Sequence, residues 1–266
     1  VERDLRLPDG RTLRTHDNGV DGPALAWHHG SPQSGAPLAP LLAAAAERGL
    51  RLLSYGRPGY GGSSPLPGRD VASAAADVAR LADALGVDRF AVMGASGGGP
   101  HALACAALLP QRVTGVVCLA GIAPFTEDFD WFAGMVAPGG LRAAMAGREA
   151  RARYAEEFDP DSFTAADWAA LSGTWASLGD DAQRAGATWP GGAVDDDLAF
   201  VRPWGFDLGA VEAPVLLLQG GRDRVVPPAH ADWMASRLRR HELWSRPDDG
   251  HVSVLDACPA AMDWLG

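Results

Sequence analysis

Apolar and polar positions alternate over Asp4-Leu5-Arg6-Leu7 and again over Arg11-Thr12-Leu13-Arg14-Thr15, on either side of Pro8-Asp9-Gly10. A period of two around a turn tripeptide predicts a β-hairpin. A short apolar run, Pro23-Ala24-Leu25-Ala26-Trp27, leads into His28-His29-Gly30. Residues 36–48 then predict a helix stopped by Gly49, and 50–55 a strand. After a Gly-, Pro- and Ser-rich loop at 56–69, Val71, Ala74, Val78, Leu81 and Leu85 share one face of a second helix over 71–85, with Asp70 as its N-cap and Gly86 as its stop. Residues 89–93 read as a strand, followed by an Ala-rich helix to about Leu109 and the strand Val113–Leu119. Strands alternating with helices over short loops predict a parallel sheet covered on both faces.

The alternation breaks at Gly121 and resumes at Pro214-Val215-Leu216-Leu217-Leu218-Gln219-Gly220. Between them the pattern is helical and aromatic, with Trp131, Trp168, Trp175, Trp189 and Trp204 and an acidic run at Asp195-Asp196-Asp197. This predicts a core of residues 1–123 and 211–266 with a helical cap, 124–210, inserted between two strands. The cap reads as a lid, or else as peripheral helices whose tryptophans simply pack.

Composition narrows the function classes. The 266 residues carry a formal net charge of −10 without a basic stripe, which argues against a nucleic-acid surface. All 23 basic side chains are arginine, so lysine Schiff-base, pyridoxal-phosphate and P-loop chemistry are excluded. Cys105, Cys118 and Cys258 are odd in number, widely spaced and in or near apolar runs, as buried free thiols rather than a disulfide or metal framework would be. No run of 18 apolar residues predicts a membrane span. Val1-Glu2-Arg3-Asp4 lacks the form of a signal peptide, so the expected location is cytoplasmic.

The chemistry is concentrated at strand ends. Gly94-Ala95-Ser96-Gly97-Gly98 is Gly-x-Ser-x-Gly between an apolar strand and a helix. That context projects a serine hydroxyl from a strained turn, with the helix N-terminus aimed at developing negative charge. A serine needs a base, and the base an orienting acid. In a parallel sheet both belong at carboxyl ends of strands. Asp223 follows one through Gly220-Gly221-Arg222, and is read as the acid, with an N-cap role or pairing with Arg222 or Arg224 as its alternatives and Asp128 or Asp130 as fallback acids. His251, in the loop Pro247-Asp248-Asp249-Gly250, is read as the base in preference to His16, His101, His230 and His241; His230 is assigned to a surface helix. Backbone N–H groups of Ser31, after His28-His29-Gly30, and of Gly97 are the candidate oxyanion hole. Adjacent histidines on a strand end point opposite ways, so His28 and His29 are not read as a metal pair.

These residues carry a family resemblance. His29-Gly30-Ser31-Pro32, Arg57-Pro58-Gly59-Tyr60-Gly61-Gly62-Ser63, Gly94–Gly98, Gly220-Gly221-Arg222-Asp223 and Gly250-His251 resemble the α/β-hydrolase superfamily over essentially the whole chain. The resemblance implies an α/β-hydrolase fold, Ser96, Asp223 and His251 as catalytic triad, Ser31 and Gly97 as oxyanion hole, substrate contacts from the cap, no metal and no cofactor. It also implies a small-molecule substrate, which the cap tryptophans suggest is apolar or aromatic. Relatives usually carry Asp where this chain has Gly56. Proline iminopeptidases usually carry Trp where it has Gly97, which weakens an aminopeptidase reading, although Glu156-Glu157 or the 195–197 run could bind an amine. Epoxide hydrolases and haloalkane dehalogenases use Asp in place of Ser96. The expected activity is hydrolysis of a small to medium ester, thioester, lactone or amide. Acyl transfer, cyclisation, lyase or C–C hydrolase chemistry on the same site is the alternative, and a non-catalytic receptor the remote one.

Overall fold

The computed structural model describes residues 1–155 and 158–266. Its chain begins with β1 (Glu2–Arg6) and β2 (Thr12–Asp17), the expected antiparallel hairpin, followed by β3 (Ala24–His28), α1 (Ala39–Glu47) and β4 (Arg51–Tyr55). Helix α1 starts three residues later than the composition suggested. Pro37 keeps Ala36 out of helical geometry, and the helix begins only where Pro40 can occupy its first turn. Next come α2 (Ser73–Ala84), β5 (Phe90–Ala95), α3 (Gly98–Leu108) and β6 (Val113–Leu119). Among the described residues, the α-helices α4 (Gly139–Met145), α5 (Arg148–Arg153), α6 (Ala165–Ser172), α7 (Ala176–Thr188) and α8 (Pro190–Phe200) follow before the sheet resumes. The chain closes with β7 (Val215–Gly220), α9 (Ala229–Arg237), β8 (His241–Arg246) and α10 (Cys258–Leu265).

The eight strands form one sheet in the order β1-β2-β4-β3-β5-β6-β7-β8. From β4 to β8 every neighbouring pair is parallel, and β2 joins β4 antiparallel. Strand β5 therefore has helices on both faces. Its alternate side chains enter two different cores: Phe90 and Val92 pack beneath α2 and α3, and Ala91, Met93 and Ala95 beneath α1 and α10. The outer strand β8 is largely exposed and carries His241, Glu242 and Arg246, charged or polar side chains that discourage edge-to-edge pairing.

The tryptophans between β6 and β7 behave mainly as packing residues. Trp131 and Trp204 are buried in one core and Trp175 in the other. His230 also departs from its expected surface position. It starts α9 but is buried: Ala123 N–H donates to Nδ1 at 3.1 Å, and Nε2 lies 2.9 Å from Trp131 O. Burial pushes its pKa down to about 4. All three cysteines are buried and free, and burial pushes the Cys118 thiol up to about 12. No helix among the described residues is long and apolar enough to cross a membrane.

Candidate active site

Strand β5 ends in Ala95, and the next residue, Ser96, takes φ +52° before α3 begins at Gly98. Such a left-handed angle is costly for a residue with a side chain and persists only where surroundings enforce it. Here Ser96 N–H donates to Leu119 O of β6 at 2.8 Å. The flanking glycines are required by close approach. A Cβ on Gly94 would collide with Gly98 O, and one on Gly98 with His28 O of the neighbouring strand.

Two loops at the carboxyl ends of β7 and β8 complete the arrangement. His251 Nε2 lies 2.9 Å from Ser96 Oγ, and His251 Nδ1 lies 2.7 Å from Asp223 Oδ2. The other Asp223 oxygen accepts from Val225 N–H and Val226 N–H, each at 2.8 Å, which fixes the carboxylate plane. Gly220 lets these loops run against each other, since a Cβ there would strike Gly250 O. The nearer acids in sequence are occupied elsewhere: Asp248 pairs with Arg222 and Asp249 with Arg246. Asp128 pairs with Arg237 on the exposed side of α9.

The geometry fixes proton positions. With Nδ1–H donating to Asp223, Nε2 is left free to accept from the serine. Burial pulls the His251 pKa down, but the charge and hydrogen bond of Asp223, joined by the charge of Asp167, outweigh it and leave the imidazole raised. Asp167 lies on α6 and is fully buried. One of its oxygens accepts from Val252 N–H, Ser253 N–H and Ser253 Oγ; the other accepts from Thr164 N–H and Oγ. It holds the backbone immediately after the histidine.

On the opposite side, Ser31 and Gly97 lie against each other: a Cβ on Gly97 would collide with Ser31 Oγ. Both ring nitrogens of His29 have backbone partners. Its Nε2 accepts from Arg57 N–H at 3.0 Å and its Nδ1 lies 2.7 Å from Gly30 O. Burial, then the charge of Arg57, holds its pKa well below the usual value. His28 turns the other way, toward Tyr55 and Cys105, and burial holds it near 3. No group of three or more potential ligand side chains suited to a metal ion occurs among the described residues.

The absent carboxylate at Gly56 has a steric explanation. A Cβ there would lie 2.7 Å from Tyr60 O and 2.9 Å from Ser34 O. Arg57 instead receives a carboxylate from α8, that of Asp196. The acidic run is thus divided among arginines: Asp195 pairs with Arg148, Asp196 with Arg57 and Arg69, and Asp197 with Arg151. This leaves little support for the run as an amine site, and Glu156-Glu157 lie outside the described residues.

A cavity of about 150 Å³ opens beside Ser96. Its walls are mixed, with Ile122, Met135, Leu141, Phe200, Val225 and Val226 contributing apolar surface and Ser31 and Ser96 polar surface. Ser162 and Asp197 add polar atoms. None of the tryptophans lines it among the described residues, so their number carries no information about the substrate. Sequence reading missed Asp167 and Asp196. Thr164-x-x-Asp167 is a legible capping-box pattern, but it signals a helix start and nothing about His251. For Asp196, the signal was an acidic triplet embedded among Val194, Leu198 and Phe200.

Comparison with known proteins shows the family to which the chain belongs. Residues 23–257 match a family model described as alpha/beta hydrolase fold. The chain is 31% identical over 105 residues to an uncharacterised hydrolase, YcgS, of Bacillus subtilis, a match spanning 40% of this chain and 36% of that protein. It is 27% identical over 212 residues to a pimeloyl-[acyl-carrier protein] methyl ester esterase of Neisseria meningitidis, covering 76% of each. Among solved structures, a thermophilic esterase from Thermogutta terrifontis superposes with a TM-score of 0.74 at 24% identity, over 100% of this chain and 98% of that one.

Proposed function

The chain belongs to the α/β-hydrolase family and is an esterase-like enzyme, and we propose that it is a serine hydrolase that cleaves small carboxylic esters through an acyl-enzyme. The observation that carries this reading is the continuous chain of contacts Ser96–His251–Asp223, at 2.9 and 2.7 Å. In this reading Ser96 Oγ attacks the ester carbonyl as His251 Nε2 takes its proton. The imidazolium, stabilised by Asp223, returns that proton to the departing alkoxide, which leaves as the alcohol. Water, activated by the same nitrogen, then attacks the acyl-enzyme and releases the acid. The N–H groups of Ser31 and Gly97 receive the negative oxygen; both residues border the cavity beside Ser96. The segment 124–210 acts as a cap, since Met135, Leu141, Asp197 and Phe200 come from it. The small volume of the cavity favours a short acyl group. A carboxyl ester is also the bond named for the Neisseria relative.

Fluorophosphonate labelling and a panel of p-nitrophenyl esters test the proposal. Wild type is expected to label at Ser96 and to prefer acetyl to butyryl esters over longer chains. Ser96→Ala is expected to lose labelling, and its kcat to fall by roughly 10⁴-fold or more. Equal labelling of both proteins ends the assignment.

A further inference from the structure

We propose that Asp196 is a positioning residue for acyl transfer: from α8 it holds Ser31 at the distance from Gly97 that a two-donor oxyanion site requires. The inference rests on the reading of Ser31 and Gly97 as that site.

Asp196 has no exposed surface, and its contacts join two loops, the one after β3 that carries Ser31 and the one after β4 that carries Arg57, Tyr60 and Arg69. One oxygen accepts from Arg69 Nη2 at 2.6 Å. The other accepts from Arg57 Nη2 at 2.6 Å, from Tyr60 Oη at 3.1 Å and from Ser31 Oγ. Arg57 continues the network along the same backbone. Its guanidinium donates to His29 O, to Gly30 O at 3.2 Å and to Ser31 Oγ at 2.9 Å. The Ser31 hydroxyl thus accepts from Arg57 and donates to Asp196, and its rotation is fixed from both sides. Two carbonyls preceding Ser31 are held by the same cation. A loop whose carbonyls are bound on one side has its peptide planes fixed, and the orientation of its N–H groups follows.

Without Asp196 the two arginines lose the carboxylate they share. Arg57 and Arg69 are both almost fully buried, and Asp196 is the carboxylate that pairs with both. Two guanidiniums left together in a low-dielectric interior repel and seek water. The Ser31 hydroxyl would lose its carboxylate acceptor, and the bonds of Arg57 to the two carbonyls would be strained.

A second contact comes from the same helix. Phe200 lies one turn beyond Asp196, on the same face. A Cβ on Gly97 would lie 2.9 Å from the Phe200 ring, opposite its collision with Ser31. The helix therefore touches both proposed donors, Ser31 through a carboxylate and Gly97 through a ring. His101 joins them, packing edge-on to Phe200 with Nδ1 2.7 Å from Gly97 O. A displacement near 1 Å between two such donors is enough to weaken transition-state stabilisation while leaving ester binding in the cavity unchanged.

The test uses the full chain, p-nitrophenyl acetate and a trifluoromethyl ketone, whose serine-bound hemiketal carries the oxyanion. Asp196→Asn is expected to lower kcat by roughly ten- to hundredfold, to leave KM within about twofold, and to weaken the ketone in proportion to kcat. The acid limb of its pH profile, set by His251, is expected to stay in place. A folded Asp196→Asn with unchanged kcat, or with KM raised and kcat kept, overturns the proposal. If that variant loses its circular dichroism signal, Ser31→Ala decides: it cuts the hydroxyl link and leaves the ion pairs. A loss of kcat of about tenfold with KM kept upholds the proposal, and an unchanged kcat overturns it. Failure of the underlying oxyanion reading looks different: kcat of Asp196→Asn would then fall while the ketone bound as tightly as it does to wild type.

Discussion

At the scale of single residues, His251 is influenced by two carboxylates of different kinds. Asp223 touches the ring, and Asp167 touches the backbone that follows it. Both favour the imidazolium, and burial opposes them. In the proposed mechanism the base must be neutral to act, so a raised pKa moves the acid limb of kcat/KM toward higher pH. Asp167→Asn preserves shape and an acceptor oxygen but removes the charge. Its acid limb is expected at lower pH than in wild type, with the plateau kcat falling by about two- to tenfold as the loop loosens. A pH profile of p-nitrophenyl acetate hydrolysis measures both; a limb that does not move would show that the charge of Asp167 is screened from the ring.

At the scale of elements, the decisive unit is β5, its turn and α3, and it was legible because its requirements are local. An apolar run, two small residues at collision points and an Ala-rich helix each state their own geometry in sequence. Gly98→Ala tests that reading: its Cβ would press on His28 O and lie 2.7 Å from His29 O. A cost of about 2–3 kcal/mol is expected. By calorimetry this lowers the unfolding midpoint by roughly 5–10 °C. Asp223 and His251 were legible in the same way, as Gly-flanked residues at strand ends. Asp196 was not, because its meaning lies in Arg57 and Arg69, more than a hundred residues earlier, and no period or spacing encodes such a pairing. The tryptophans were ambiguous for a related reason. An aromatic residue in a helix reads equally as a cavity wall or as core, and only the positions of β6, β7 and α9 decide that Trp131 is core. His230 was misplaced by the same ignorance of what α9 covers.

At the scale of the molecule, the helices between β6 and β7 are fastened to the sheet by buried carboxylates: Asp167 to the His251 loop, Asp181 to Ser34 N–H at 3.0 Å, and Asp196 to Arg57 and Arg69. Trp175 adds a hydrogen bond to Asp256 at 2.8 Å. This ties the integrity of the site to acid. Burial alone would raise Asp196, but Arg57 and Arg69 hold it well below the usual carboxylate range. Asp167 is also lowered, its burial outweighed by the N–H groups of Ser253, Thr164 and Val252. A group whose folded pKa is depressed binds its proton more readily unfolded. The stability it contributes is present above the unfolded value near 4, and is lost as pH falls through the folded value. Asp195, raised by burial, works in the opposite sense but only over its own interval. Wild type is therefore expected to lose unfolding midpoint steeply below about pH 4. Asp196→Asn begins lower, by about 3–5 kcal/mol at pH 7 for a broken buried pair, and loses less on acidification because one of the depressed groups is gone. Scanning calorimetry of both proteins from pH 7 to pH 3 measures the two slopes. Parallel curves would mean that Asp196 gives up its proton no more readily in the folded protein than in the unfolded chain, and that the fastening of α8 is not electrostatic.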